Sequence, residues 1–182
     1  MIMSQVLEIE GVRVKQVKSI TDARGTFVKF HPSNDLKNSL DSVALSFNPN
    51  LGTIRGLHFQ VEPFAEEKLV SCVQGSIFDV IVDLRSDSKT FGKSASIELS
   101  AENAIQIYLP KGIAHGFQTL EADSIVYYGI SGTYSPESAF SIDPFGDIGI
   151  RWPLQNFSIS AKDSNGISLS RAISEYSEAI SN

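Results

Sequence analysis

Ser76-Ile77-Phe78-Asp79-Val80-Ile81-Val82-Asp83-Leu84 decides the fold class. Phe78, Val80, Val82 and Leu84 fall on one face of an extended chain, and Ile77, Asp79, Ile81 and Asp83 on the other, so this is a strand with one dry and one mixed face. Ala104 to Leu109 repeats the period, with Ile105, Ile107 and Leu109 opposed to Gln106 and Tyr108, until Pro110-Lys111-Gly112 stops it. Ile125 to Ile130, bounded by Ser131-Gly132, is a further β-rich run. Turn signals at Asn48-Pro49-Asn50, Gln74-Gly75, Ser86-Asp87-Ser88 and Lys111-Gly112 come at the short spacing of antiparallel sandwiches and barrels, not of βαβ units. The body is predicted to be all-β.

The C-terminal tail changes period. Ile173, Tyr176, Ser177 and Ile180 recur at helical spacing within Leu169 to Ile180, predicting one helix packed on the barrel. A second short helix is expected near Asp35 to Leu40, capped by Asn34 or Asp35. No internal repeat or low-complexity linker divides the chain. Its 182 residues, 42% of them hydrophobic, suit one domain over 1–182, with a core at about 20–155 and a helical tail at about 167–181.

A formal net charge of -6 offers no basic face to a phosphodiester backbone, so nucleic acid is not an expected partner. The single cysteine, Cys72, cannot form an internal disulfide and reads as a small buried hydrophobe in the run Leu69 to Val73. Met1-Ile2-Met3-Ser4-Gln5 lacks a basic segment followed by an apolar core, and no stretch approaches the length of a membrane span. The expected compartment is the cytosol, with no membrane partner.

Arg55-Gly56-Leu57-His58 puts one of three histidines beside a fixed cation at a strand start, an anion anchor next to an imidazole, the side-chain type suited to take and return a proton. Other polar residues interrupting the β-rich chain are candidates for a barrel interior: Lys68, Asp79, Asp83, Arg85, His115, Tyr127, Tyr128 and Asp163. Each has a plainer reading. Lys68 follows Glu66-Glu67 and reads equally as half of a solvated charge pair, while Asp79 and Asp83 suit structural hydrogen-bond acceptors. A metal site is not expected, because His31, His58 and His115 are isolated, with no second histidine two residues from any of them.

Taken in order, Arg55-Gly56-Leu57-His58-Phe59-Gln60, Lys68-Leu69-Val70, Gly75 to Arg85, Thr90-Phe91-Gly92, Pro110-Lys111-Gly112-Ile113-Ala114-His115-Gly116-Phe117, Tyr134-Ser135-Pro136, Ile148 to Pro153 and Ser160-Ala161-Lys162-Asp163 resemble the dTDP-4-dehydrorhamnose 3,5-epimerase family. The resemblance runs from Asp22-Ala23-Arg24-Gly25 to Asp163. It implies a cupin-type jelly-roll β-barrel, a homodimer, acting without metal or organic cofactor on a nucleoside-diphosphate 4-keto-6-deoxyhexose. By motif, the general base falls on His58, its orienting carboxylate on Asp163 and the opposing acid on Tyr128. Lys68 and His115 take positions lining the sugar site, Lys68 near the developing oxyanion. Arg24 and Arg55 take those that hold the diphosphate, Arg24 supplied across the dimer. Lys162 is a further ligand contact, and Tyr134 stacks on the nucleotide base.

Departures from the family pattern fall around the ligand. Lys29 and Ala139 stand where carboxylates are usual, and Ser46-Phe47-Asn48 keeps only the asparagine of a Gln-Asp-Asn stretch. Thr133 replaces an aromatic, Gly129 a lysine, and the loop from Asn48 to Arg55 is short. The proton-transfer set is spared, so the reaction type is better specified than the base, the sugar, or whether C3, C5 or both are inverted. The competing readings are a 3,4-ketoisomerase and a non-catalytic sugar-nucleotide-binding barrel; retention of His58, Tyr128 and Asp163 argues against both.

Overall fold

The computed structural model describes residues 8–30 and 40–181. Its strands are β1 (Arg13–Gln16), β2 (Ser19–Asp22), β3 (Gly25–Val28), β4 (Ser42–Asn48), β5 (Thr53–Gln60), β6 (Lys68–Gln74), β7 (Ser76–Asp83), β8 (Ser94–Ser100), β9 (Ile105–Leu109), β10 (Ile113–Thr119), β11 (Ser124–Ile130), β12 (Ala139–Ser141) and β13 (Ser158–Ile159). Two helices follow, α1 (Ala161–Ser164) and α2 (Leu169–Ser181). The short helix expected near Asp35 to Leu40 lies, but for Leu40, outside the described residues.

Two sheets face each other in a jelly-roll barrel. One has the order β1-β9-β6-β11-β4; the other runs β12-β5-β10-β7-β8, with β13 added in parallel to β5. Among the described residues the hairpin β2-β3 pairs only with itself, and its Ile20 and Phe27, opposite each other in register, are both exposed. The predicted turns at Gly75 and Gly112 fall where β6 passes to β7 and β9 to β10, and both glycines have positive φ.

The alternation in β7 has a simple physical meaning. Ile77 and Ile81 join Val70, Cys72, Leu99, Ile107, Leu109, Phe117 and Val126, contributed by both sheets, so this face looks into the barrel. Phe78, Val80, Val82 and Leu84 look outward and are covered by Ile142, Ile148, Trp152, Ala172 and Tyr176 from the C-terminal part of the chain. Both faces are therefore dry, which is why apolar residues occupy five of the eight positions of this strand, on both of its faces. Asp79, on the inward face, is the exception that matters for the site.

Helix α2 packs on that outer face through Ala172 and Tyr176, with Leu169 and Ile173 partly buried. Ile180 shares the stripe yet is 55% exposed, because the last turn runs past the surface the helix covers.

Candidate active site

Cross-strand register shows why Arg55-Gly56-Leu57-His58 works as a unit. His115 of β10 is opposite His58, and Phe117 is opposite Arg55, so β5 advances three residues where β10 advances two. Residues three apart in a regular strand point to opposite faces. The extra residue of this bulge brings Arg55 and His58 to the same face, and both line one cavity of about 390 Å³. Gly56 allows it: its φ is +119°, and a Cβ there would lie 2.5 Å from the Gly116 Cα and 2.8 Å from the His115 carbonyl oxygen. Only glycine fits this close approach.

His58 is held from behind. Its Nε2 lies 2.7 Å from Asp163 Oδ1, while the Gly56 N–H donates to Asp163 Oδ2 at 3.3 Å and Ser141 Oγ to Oδ1 at 3.2 Å. Asp163 is placed by α1, whose first turn is capped by Ser160 Oγ accepting from the Asp163 N–H. Burial pushes the Asp163 carboxyl up, but the His58 hydrogen bond and charge, the Gly56 N–H and the Ser141 hydroxyl outweigh it and hold the carboxyl below its ordinary value. A carboxylate on Nε2 fixes the proton there and leaves the lone pair on Nδ1. The imidazole stays 43% exposed, so a ligand can reach it.

A second imidazole dyad sits beside the first. His115 Nε2 is 2.7 Å from Asp79 Oδ2, both side chains are buried, and the His115 ring meets Tyr128 edge-on with centroids 6.0 Å apart. Burial pushes the Asp79 carboxyl up, more than His115 and Lys68 pull it down. Burial also pushes the Tyr128 phenol up, with Asp79 adding to the shift and Arg55 opposing it, so Tyr128 holds its proton at neutral pH.

His58 and His115 come from one sheet, whereas Tyr128 of β11 and Lys68 of β6 come from the other and line the same cavity. A base and a hydroxyl acid thus face each other across the space. Lys68 is paired with Glu66 at 2.9 Å, with the two side chains 9% and 13% exposed, so the charge pair is enclosed in the cavity wall and not solvated. Tyr134 and Lys162 stand at the exposed mouth.

Three expected ligand contacts lie elsewhere in one chain. Asn48 is 2% exposed; its Oδ1 accepts from Arg55 Nε at 2.9 Å, so it aims the guanidinium without lining the cavity. Arg24, at the tip of the β2-β3 hairpin, pairs with Asp22, and Lys29 is exposed just after β3. Among the wider candidates for the interior, Asp83 and Arg85 belong to a network at the far end of β7, where Asp83 accepts from Arg85, Ser88 and Thr90. Tyr127 has the opposite strand parity from Tyr128 and stacks on Phe30. Asp79 and Asp83 share a parity but not a depth in the barrel, which alternation alone does not convey.

Sequence reasoning passes over Glu66 and Gln60 as functional groups. Gln60 Nε2 donates to Glu66 Oε2 at 3.2 Å and to the Phe64 carbonyl at 2.9 Å, and its Oε1 accepts from the Ser135 N–H at 2.8 Å. Their signal is the motif context: Gln60 two residues after His58 on the same strand face, and Glu66 two residues before Lys68. Among the described residues no group of three or more His, Cys, Asp or Glu side chains is placed to hold a metal ion.

Comparison with known proteins gives the family and the fold. The family model described as dTDP-4-dehydrorhamnose 3,5-epimerase matches residues 6–171. A dTDP-4-dehydrorhamnose 3,5-epimerase of Sinorhizobium fredii (strain NBRC 101917 / NGR234) is 41% identical over 174 residues, which cover 91% of this chain and 88% of the relative. A dTDP-4-dehydrorhamnose 3-epimerase of Streptomyces niveus is 31% identical, covering 91% of this chain and 83% of its own. The crystal structure of dTDP-6-deoxy-D-glucose-3,5-epimerase from Legionella pneumophila Philadelphia 1, in complex with dTDP-4-keto-L-rhamnose, superposes with a TM-score of 0.84 at 34% identity over 90% of each chain.

Proposed function

The chain belongs to the dTDP-4-dehydrorhamnose 3,5-epimerase family and is an isomerase, and from that premise we propose that its cavity inverts C3, C5 or both of a nucleoside-diphosphate 4-keto-6-deoxyhexose by proton transfer between His58 and Tyr128. A hydrogen on a carbon beside the C4 ketone is acidic because the ketone takes up the charge as an enolate. His58 Nδ1 removes that proton, and the Asp163 carboxylate at 2.7 Å stabilises the imidazolium that results. The Lys68 ammonium donates to the enolate oxygen, an interaction that strengthens as the negative charge develops. Inversion requires the new proton to arrive from the other face, and Tyr128, protonated and on the opposite sheet, supplies it.

The observation that carries this reading is the disposition of His58 and Tyr128 on opposing sheets around one cavity, with Lys68 beside them. The Arg55 guanidinium, aimed by Asn48, meets the diphosphate, for which its fork of donors is suited. Lys162 adds charge at the mouth, Tyr134 takes the nucleotide base, and His115 lines the sugar site. This chemistry calls for no metal or organic cofactor.

The working unit in this proposal is a homodimer. On the outer face of β4, Val43, Leu45 and Phe47 are 60%, 51% and 63% exposed, an apolar stripe of the kind that a second copy covers. The β2-β3 hairpin, with Ile20 and Phe27 exposed, then reaches the neighbouring chain and carries Arg24 and Lys29 towards its cavity. No described helix is long and apolar enough to cross a membrane, and the substrate class fits a cytosolic enzyme.

Incubation with dTDP-linked 4-keto-6-deoxyhexose in deuterated buffer, followed by NMR, tests the reaction. Deuterium entering at C3 or C5 with inversion is expected, and His58→Ala abolishes it at every carbon. Absence of exchange with thymidine, uridine, cytidine and guanosine donors refutes the assignment.

A further inference from the structure

We propose that Glu66 reads the hydroxyl on the carbon next to the ketone, and so fixes which way round the sugar ring lies; this rests on the reading of Lys68 as the donor to the ketone oxygen. Glu66 is held on both of its oxygens. Oε1 lies 2.9 Å from Lys68 Nζ, and Oε2 accepts from Gln60 Nε2, itself clamped by the Phe64 carbonyl and the Ser135 N–H. The carboxylate therefore keeps one orientation, and it lines the cavity together with Lys68. Each carboxylate oxygen can accept a second hydrogen bond.

A carboxylate beside the enolate oxygen repels that oxygen but attracts an O–H. In an α-hydroxy ketone the two oxygens sit about a hydrogen-bond length apart. With Lys68 Nζ on the ketone oxygen, the adjoining hydroxyl comes opposite Glu66 Oε1, and the four groups close a ring of contacts: ammonium, ketone, hydroxyl, carboxylate. In a 4-keto-6-deoxyhexose only one neighbour of the ketone carries a hydroxyl. C3 does, whereas C5 bears the ring oxygen and a methyl group. Glu66 thus selects 3-hydroxy over 3-deoxy sugars and directs C3 to its own side of the cavity. It remains paired to Lys68 and Gln60 when the hydroxyl is missing, so the selectivity expected is that of one charge-assisted hydrogen bond, roughly tenfold to a hundredfold.

The test compares a dTDP-linked 4-keto-6-deoxyhexose with its 3-deoxy analogue, reading kcat/KM for deuterium uptake at the carbons beside the ketone. The unmodified enzyme is expected to favour the 3-hydroxy substrate by about ten- to a hundredfold. In Glu66→Ala the ratio collapses to within about threefold, with Glu66→Gln, a neutral acceptor, between them. Calorimetric binding of dTDP alone, which does not involve the sugar site, is expected to be unchanged in both variants and reports that they are folded. Equal rates on the two substrates with the unmodified enzyme, or a ratio retained in a folded Glu66→Ala, overturns the assignment to Glu66. No uptake from either substrate by the unmodified enzyme overturns the proton-transfer reading itself.

Discussion

Replacing Asp163 by asparagine leaves the shape of the site almost unchanged and inverts its proton logic. The carboxylate accepts from His58 Nε2, from the Gly56 N–H and from Ser141 Oγ. An asparagine satisfies the Gly56 N–H with its carbonyl oxygen, which turns its NH₂ towards His58. Two donors cannot share a hydrogen bond, so the imidazole moves its proton to Nδ1 and presents the lone pair of Nε2 to the amide. The nitrogen facing the cavity is then occupied, and no carboxylate remains to stabilise the imidazolium. Wrong tautomer and lost charge together should lower the rate of deuterium exchange roughly 10²–10⁴-fold, about 3–5 kcal/mol of transition-state stabilisation. Exchange followed by NMR at saturating substrate reads this directly, with dTDP binding as the control. The same substitution carries a stability signature. Because the Asp163 carboxyl is held below its ordinary value in the folded chain, its contribution to stability is present above the unfolded value and is lost as pH falls through the folded one. On acidification the unmodified chain should therefore lose stability more steeply than Asp163→Asn, as read by urea denaturation across that range. Exchange within about threefold of the unmodified enzyme, in a folded variant, would refute the role given to Asp163.

Tyr128→Phe should preserve deuterium exchange while suppressing inversion, since removal of the proton by His58 does not require the acid; NMR of the product configuration decides it. Gly56→Ala should destabilise the fold by about 2–5 kcal/mol, combining positive-φ strain with overpacking against Gly116 and His115, as measured by urea denaturation. Burial pushes the Cys72 thiol up to about 11, so a thiol reagent at neutral pH should label it only on unfolding. Leu45→Asp should break the proposed homodimer, read as a monomer in analytical ultracentrifugation where the unmodified chain is a dimer, with loss of activity if Arg24 acts across the pair.

The strands are legible in the sequence where residues alternate, as in β7 and β9, or where a β-rich run is bounded by turn residues, as in β11, and so is the terminal helix. Alternation says which residues share a face but not which face is inside, nor how deep each residue lies. Asp83 and Arg85 therefore group with Asp79 on paper, although they form a separate network at the end of the barrel. The bulge that unites Arg55 with His58 is a backbone event, marked in the sequence only by a glycine whose purpose appears once Gly116 is seen against it. Asp163 is identifiable through its motif, but the four-residue helix that aims it is too short to announce itself by periodicity. Glu66 is masked by its neighbour Glu67, which makes the pair look like a solvated charge run. Glu67 is in fact buried, accepting from the Tyr108 hydroxyl, while Glu66 turns into the cavity.

The two imidazole dyads differ in how they are assembled. His115 and Asp79 lie on adjacent strands of one sheet, so their contact exists as soon as β7 and β10 pair. His58 takes its carboxylate from more than a hundred residues further along, where β13 aligns with β5 and α1 lies behind it. In the proposed mechanism catalytic competence thus rests on a contact made across the whole chain, and exchange activity should gauge whether the segment from Ser158 to Ser164 is seated. A nick or local melting there would silence the enzyme while leaving the barrel whole.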